Sequence, residues 1–184
     1  MAIFAALAVG NLVYPSVWFA DGTTGRVVDA STGAPIEGAV VVMTWKLQGL
    51  EGYPIGYLQS FETTTDARGE FAAPGFGPRF NFGQGRLEKT QPNIRILARD
   101  HEPLREPNLP DSGSAWFYAG ATFDGKTFRL RPIGPTTDLD AAITLFDDDF
   151  SFVNHRTHAT ARFPLTSKLL DELARQSVAR RDRS

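Results

Sequence analysis

The chain opens on twenty residues, "MAIFAALAVGNLVYPSVWFA", without a charged side chain; the first charge is Asp21. From Thr23 the pattern changes to short β-branched and aromatic runs separated by Gly, Pro, Asp and Ser, the texture of an all-β sandwich or barrel. Strands are expected at Gly25 to Ala30, Ala39 to Leu47, Tyr57 to Thr65, Gly69 to Ala73, Asn93 to Arg99, Ser114 to Thr122 and Thr127 to Arg131. The run "AVVVMTW", Ala39 to Trp45, leaves neither face polar. Such a strand is central and covered on both sides.

Turn chemistry explains the punctuation. In "DASTGAPIEG", Gly33 and Gly38 tolerate positive φ, and Pro35 presets its own φ near about −65°. In "TDARGEF", Asp66 can bond the backbone two residues on, Gly69 closes the turn, and Phe71 follows it into the core. Gly25, Gly33 and Gly38 are therefore read as corners of a sandwich. A phosphate loop is excluded because a Walker motif needs lysine where "GAPIEGA" supplies Ala39.

These residues carry a resemblance. The order Gly25-Arg-Val-Val-Asp29, Thr32-Gly33, Pro35-Ile36, Gly38-Ala39-Val40, then Thr65-Asp66-x-x-Gly69-x-Phe71 is similar to the carboxypeptidase regulatory-like domain, and the similarity extends from Gly22 to about Pro132. It implies a seven-stranded, transthyretin-like Greek-key β-sandwich and an accessory, non-catalytic role beside other machinery. Asp100-His101 stands where the family usually has Gly-Tyr, and Gln48 to Tyr57 lengthens an early hairpin. The zinc peptidase domain that accompanies the family in carboxypeptidases has no counterpart here, nor does the Tyr-Arg-Gly-Ser of the hydroxyisourate hydrolases.

The flanks read differently. Residues 1–20 suit an apolar helix, either an export signal or an uncleaved membrane anchor, with a buried helix or first strand of the domain as the alternative. No positive n-region precedes the run, and Trp18 makes a poor cleavage site after Ala20. Beyond residue 134 the chain is expected to form a mixed or helical extension. Thr137 is expected to cap one helix, with Leu139, Ala142, Ile143 and Phe146 at helical spacing. Thr166 or Ser167 is expected to cap a second, whose stripe is Leu169, Leu170, Leu173 and Val178 and whose basic C-terminal end is solvated.

Composition narrows the chemistry. A net charge of −2 over 184 residues provides no basic field for nucleic acid. Gly75 to Arg86, rich in Gly and Phe, is read as a long loop rather than a base-stacking platform. The absence of cysteine excludes disulfides, thiolate metal sites and a cysteine nucleophile. Metal ligation would fall to His101 or to His155 and His158, three residues apart below Asp147 to Asp149; a solvated connection is the simpler reading. No Gly-x-Ser-x-Gly nucleophile turn occurs. The expected protein is thus an exported or membrane-anchored module of the cell envelope, periplasmic or secreted, without enzyme activity or cofactor, which binds a protein or glycan partner. The alternative is a metal-dependent or hydrolytic enzyme using loop residues.

Overall fold

The computed structural model describes residues 17–49, 51–81, 85–87, 90–109, 118–144 and 163–181. Ten strands lie among them: β1 (Val17–Ala20), β2 (Thr23–Asp29), β3 (Val40–Gln48), β4 (Pro54–Thr64), β5 (Glu70–Ala73), β6 (Phe76–Phe80), β7 (Arg86–Leu87), β8 (Asn93–Leu97), β9 (Leu104–Glu106) and β10 (Lys126–Leu130). A helical run covers 139–144, and helix α1 covers Pro164–Arg181. The protein is mainly β. One sheet has the order β4-β3-β8-β9 with β7 also paired to β3, a second β10-β2-β5, and a third is the pair β1-β6. Only β10 and β2 run parallel among these pairs.

The sheets enclose a core of Val27, Val41, Met43, Trp45, Phe71, Phe76, Ile94, Ile96 and Phe128 with their neighbours. β3 supplies alternate residues to it. Its other face, Val40 and Val42 beside Leu97 of β8, is covered by Phe163, Leu169 and Leu173. The two-faced apolar run of β3 thus has two coverings, the opposed sheet on one side and α1 on the other. Arg95, on the same β8 face as Leu97, is wholly buried there, with Nη1 3.4 Å from Thr44 Oγ1.

Several expectations are corrected. Val17–Ala20, assigned to the apolar leading segment, is strand β1, with Trp18 and Ala20 buried in the core; residues 1–16 of the expected helix lie outside the described residues. An apolar tetrad fits a buried strand as well as a helix, and pairing with β6 decides between them. Phe76–Phe80, expected within a loop, forms that partner strand despite Gly77 and Pro78, since an edge strand tolerates a missing donor. Strands β7 and β9 were not anticipated, so the count exceeds seven. Of the expected strand at 114–122, residues 114–117 lie outside the described residues and 118–122 join no strand beyond a bridge from Tyr118 to Phe19. Gly25 is no corner. It lies mid-strand in β2, where a Cβ would come 2.6 Å from the Phe71 ring, so the absent side chain makes room for that phenyl group.

The helix starts also differ. The run at 139–144 is capped by Asp138, whose Oδ1 accepts the Ala141 N–H at 2.9 Å, while Thr137 donates its hydroxyl to Glu102 at 2.8 Å. α1 begins at Pro164, before either expected cap, because proline needs no N–H partner at a first helical position. Glu62 of β4 caps it from across the fold. Its carboxylate accepts the N–H groups of Leu165 and Thr166 at 3.1 and 2.7 Å and the Thr166 hydroxyl at 2.6 Å. The buried stripe is Thr166, Leu169, Leu173 and Ser177, with Val178 exposed. The basic end is exposed, as expected, and makes surface contacts: Arg180 donates to Gly134 O at 3.1 Å, and Arg181 pairs with Asp140 at 2.9 Å.

Candidate functional site

Among the described residues, chemistry-bearing groups gather at a polar corner around Asp29 and His101 and at a groove in the seam between α1 and the sandwich. The corner forms where β2 ends. Asp29 opens "DAST", and its Oδ1 accepts the Ser31 N–H and hydroxyl at 2.8 and 2.5 Å and the Thr32 N–H and hydroxyl at 2.8 and 3.0 Å. This is an Asx turn, legible from Ser and Thr two and three residues on. Its Oδ2 lies 3.0 Å from His101 Nε2, while His101 Nδ1 faces Arg99 O at 2.7 Å. Glu102 next door pairs with Arg131 at 2.9 Å.

The order of contacts decides what this corner can do. Ser31 reaches the aspartate and not the imidazole, so no base stands against the hydroxyl as a Ser-His-Asp relay requires. Both His101 nitrogens already face oxygen partners, leaving neither for a metal without breaking a contact. His101 acts as a strut joining the end of β2 to the turn after β8. His155 and His158 lie outside the described residues, and among the described residues no group of three or more metal-ligating side chains converges.

The glycines and carboxylates of the turns are placed as follows. Gly33, Gly38 and Gly69 take φ of 73°, 72° and 72°. Pro35 bridges to Val28, and Phe71 is buried in the core. Asp66 Oδ1 accepts the N–H groups of Glu70 and Arg68 at 2.8 and 2.9 Å. Asp124 Oδ1 accepts the N–H and hydroxyl of Thr24 at 2.6 and 3.0 Å. Hydrogen bonds to the charged form lower a carboxyl pKa. For Asp29 the first cause is the Ser31 hydroxyl, for Asp66 the Glu70 N–H and for Asp124 the Thr24 N–H; each is held below the usual carboxylate range.

A folded pKa below the unfolded one gives stability that is present above the unfolded value of about 4 and is lost as pH falls through the folded value. Unfolding free energy is therefore expected to hold between neutrality and about pH 5 and to decline below about pH 4. The triple variant Asp29→Asn, Asp66→Asn, Asp124→Asn keeps acceptor oxygens without the titration. Its denaturant curves should lose stability less steeply on acidification than those of the parent, and an equal acid slope would contradict the assignment.

The seam groove encloses about 390 Å³. Leu165, Lys168 and Leu169 of α1 form one wall, and Ile36, Glu37, Gly38, Val40, Thr64 and Arg99 form the other. Arg99 pairs across the seam with Glu172 at 3.2 Å. An apolar floor with a few charged groups at the rim, at this volume, suits a small ligand or one segment of a larger one. The sequence offered no sign of the groove, since its walls are contributed by residues more than sixty positions apart.

No family model matches the chain, and no curated protein matches it. Among solved structures it is similar to a streptococcal ancillary pilin, at 13% identity and a TM-score of 0.34 over 61% of this chain and 29% of that one. It is also similar to 3-chlorocatechol 1,2-dioxygenase from Rhodococcus opacus 1CP, at 16% identity and a TM-score of 0.38 over 64% and 61%. A third similarity is to the C-terminal domain of the shaft pilin SpaA from Lactobacillus rhamnosus GG, at 13% and 0.31 over 64% and 99%. The chain spans less than two thirds of the length of the first two. Likenesses this slight carry no argument about what the chain does. Among the described residues no helix is long and apolar enough to cross a membrane.

Proposed function

We propose that the protein is an exported or membrane-anchored, non-catalytic module of the cell envelope, built on a carboxypeptidase regulatory-like sandwich, which holds a protein or glycan partner in the groove at the α1 seam. The groove carries this reading: it joins an apolar floor to the Lys168 ammonium and Glu37 carboxylate at its rim. The uncharged leading run supports the location, and the turn motifs from Gly25 to Phe71 support the module class. The Asp29 and His101 contacts favour a structural corner over a hydrolytic one.

The test is a photo-crosslinking residue at Leu165, half-exposed at the groove mouth, in the full chain expressed in its native envelope, with adducts read by mass spectrometry. One defined partner is expected, and Thr64→Trp, which fills the groove, should remove its adduct while leaving the melting temperature within a few degrees. Recovery of the same adduct from the filled variant would overturn the groove as the binding site.

A further inference from the structure

The tip of the β3–β4 hairpin gathers apolar side chains that the core does not use. Tyr53, Ile55 and Phe80 are 64%, 52% and 60% exposed. Pairing brings them to one end of the sandwich: Gln48 faces Pro54 across the hairpin and Arg86 on its other side. Asn81 Nδ2 donates to Gly85 O at 2.8 Å, and Gly85 lies against Gln48 and Ile55. Val17 stands opposite Phe80, so β1 begins at this same end. That preceding stretch, Met1 to Ser16, has no charged side chain. Arg86, which pairs with Gln48 at this end, is exposed, as is Glu51, whereas Arg79 stands opposite Trp18 on the other face of β6 from Phe80.

We propose that this end is a membrane-contact surface, with Tyr53, Ile55 and Phe80 seated in the headgroup and acyl boundary of an anionic bilayer and Arg86 meeting its phosphates. The inference rests on the proposed uncleaved anchor, which strand β1 limits to residues 1–16, and adds a second contact made by the folded domain. Chain connectivity supplies the first reason. An uncharged run ending at Val17 brings Phe80 to the bilayer with it, and every apolar side chain at that end then gains by leaving water. The second reason is chemical: tyrosine combines an apolar ring with a polar tip suited to the interface, and arginine at its edge is drawn to anionic headgroups.

The chain has no cysteine, so single cysteines can carry a fluorophore without further change. Tyr53→Cys, Phe80→Cys and Arg68→Cys, the last in the turn at the opposite end of β3 and β4, are to be labelled in the full chain. The labelled proteins are incorporated into vesicles of phosphatidylcholine and phosphatidylglycerol containing lipid brominated near the headgroup. Labels at 53 and 80 are expected to lose about half of their emission, as for groups about 5–10 Å into the boundary, and the label at 68 none. Arg86→Gln should reduce that loss. Co-flotation with vesicles but no quenching at 53 and 80 overturns this inference and leaves the anchor standing. Failure to float overturns the anchor reading and this inference with it. A concentration-dependent blue shift of both labels without lipid would assign the patch to a second copy of the chain and overturn the lipid contact.

Discussion

Replacing Trp45 with alanine is expected to lower the unfolding free energy by about 3–5 kcal/mol, the range for emptying a large buried aromatic site. Trp45 is 2% exposed at the centre of the strand that both coverings share. Its ring meets Phe76 edge-on at a centroid distance of 5.2 Å, and its Nε1–H donates to Ala119 O at 2.7 Å. The cavity would open beneath β1 and β6, whose short pairing gives it few other ties. Trp45→Phe separates the contributions, because it fills most of the volume but leaves the Ala119 carbonyl without this donor, at about 1–3 kcal/mol. Urea denaturation measures both. A loss below about 1 kcal/mol for the alanine variant, the usual size of a surface change, would show that the ring is not part of the core.

Gly69→Ala is expected to cost about 2–4 kcal/mol, more than left-handed backbone strain alone supplies. Gly69 has φ of 72°, and its added Cβ would press into the Val27 carbonyl and lie 3.2 Å from the Ile36 nitrogen. Neither neighbour can yield easily. Val27 O accepts the Ile36 N–H at 3.0 Å, and the Val27 N–H donates to Gly69 O at 2.8 Å. Gly33 provides the control: its φ is 73°, and nothing lies within 4 Å of the position a Cβ would take. Gly33→Ala should thus lose only the conformational part, about 1 kcal/mol. Equal losses at the two positions would remove the steric argument and leave φ as the whole cause.

Legibility followed the range of the interactions. The turn at Asp66 and the loop at Asp29 were readable because a short side chain and the backbone two to four residues on settle each of them. β3 was readable because seven consecutive residues from Ala39 leave no polar face. β6 was not, because Gly77 and Pro78 argue locally against a strand, and only the presence of β1 alongside overrules them. The caps failed for a related reason. Thr166 carries the right local signal, yet its hydroxyl and N–H both donate to Glu62, about a hundred residues earlier in the chain. His101 looked like solvated loop surface and is instead held from two sides.

The sequence by itself determined the class of architecture and its corners, because alternation, β-branching and the φ demands of glycine and proline act within a few residues. It also determined that β3 must be covered twice. Only the tertiary structure decided what covers it, and it assigned one face to the opposed sheet and the other to Phe163, Leu169 and Leu173. It alone placed Lys168 and Leu165 against Ile36 and Thr64 to open a groove, and brought Tyr53, Ile55 and Phe80 to the end where β1 begins. Burial and charge placement at these positions depend on pairings between segments 30 to more than 100 residues apart, and no local pattern encodes a contact whose partner is set by the packing of the whole domain.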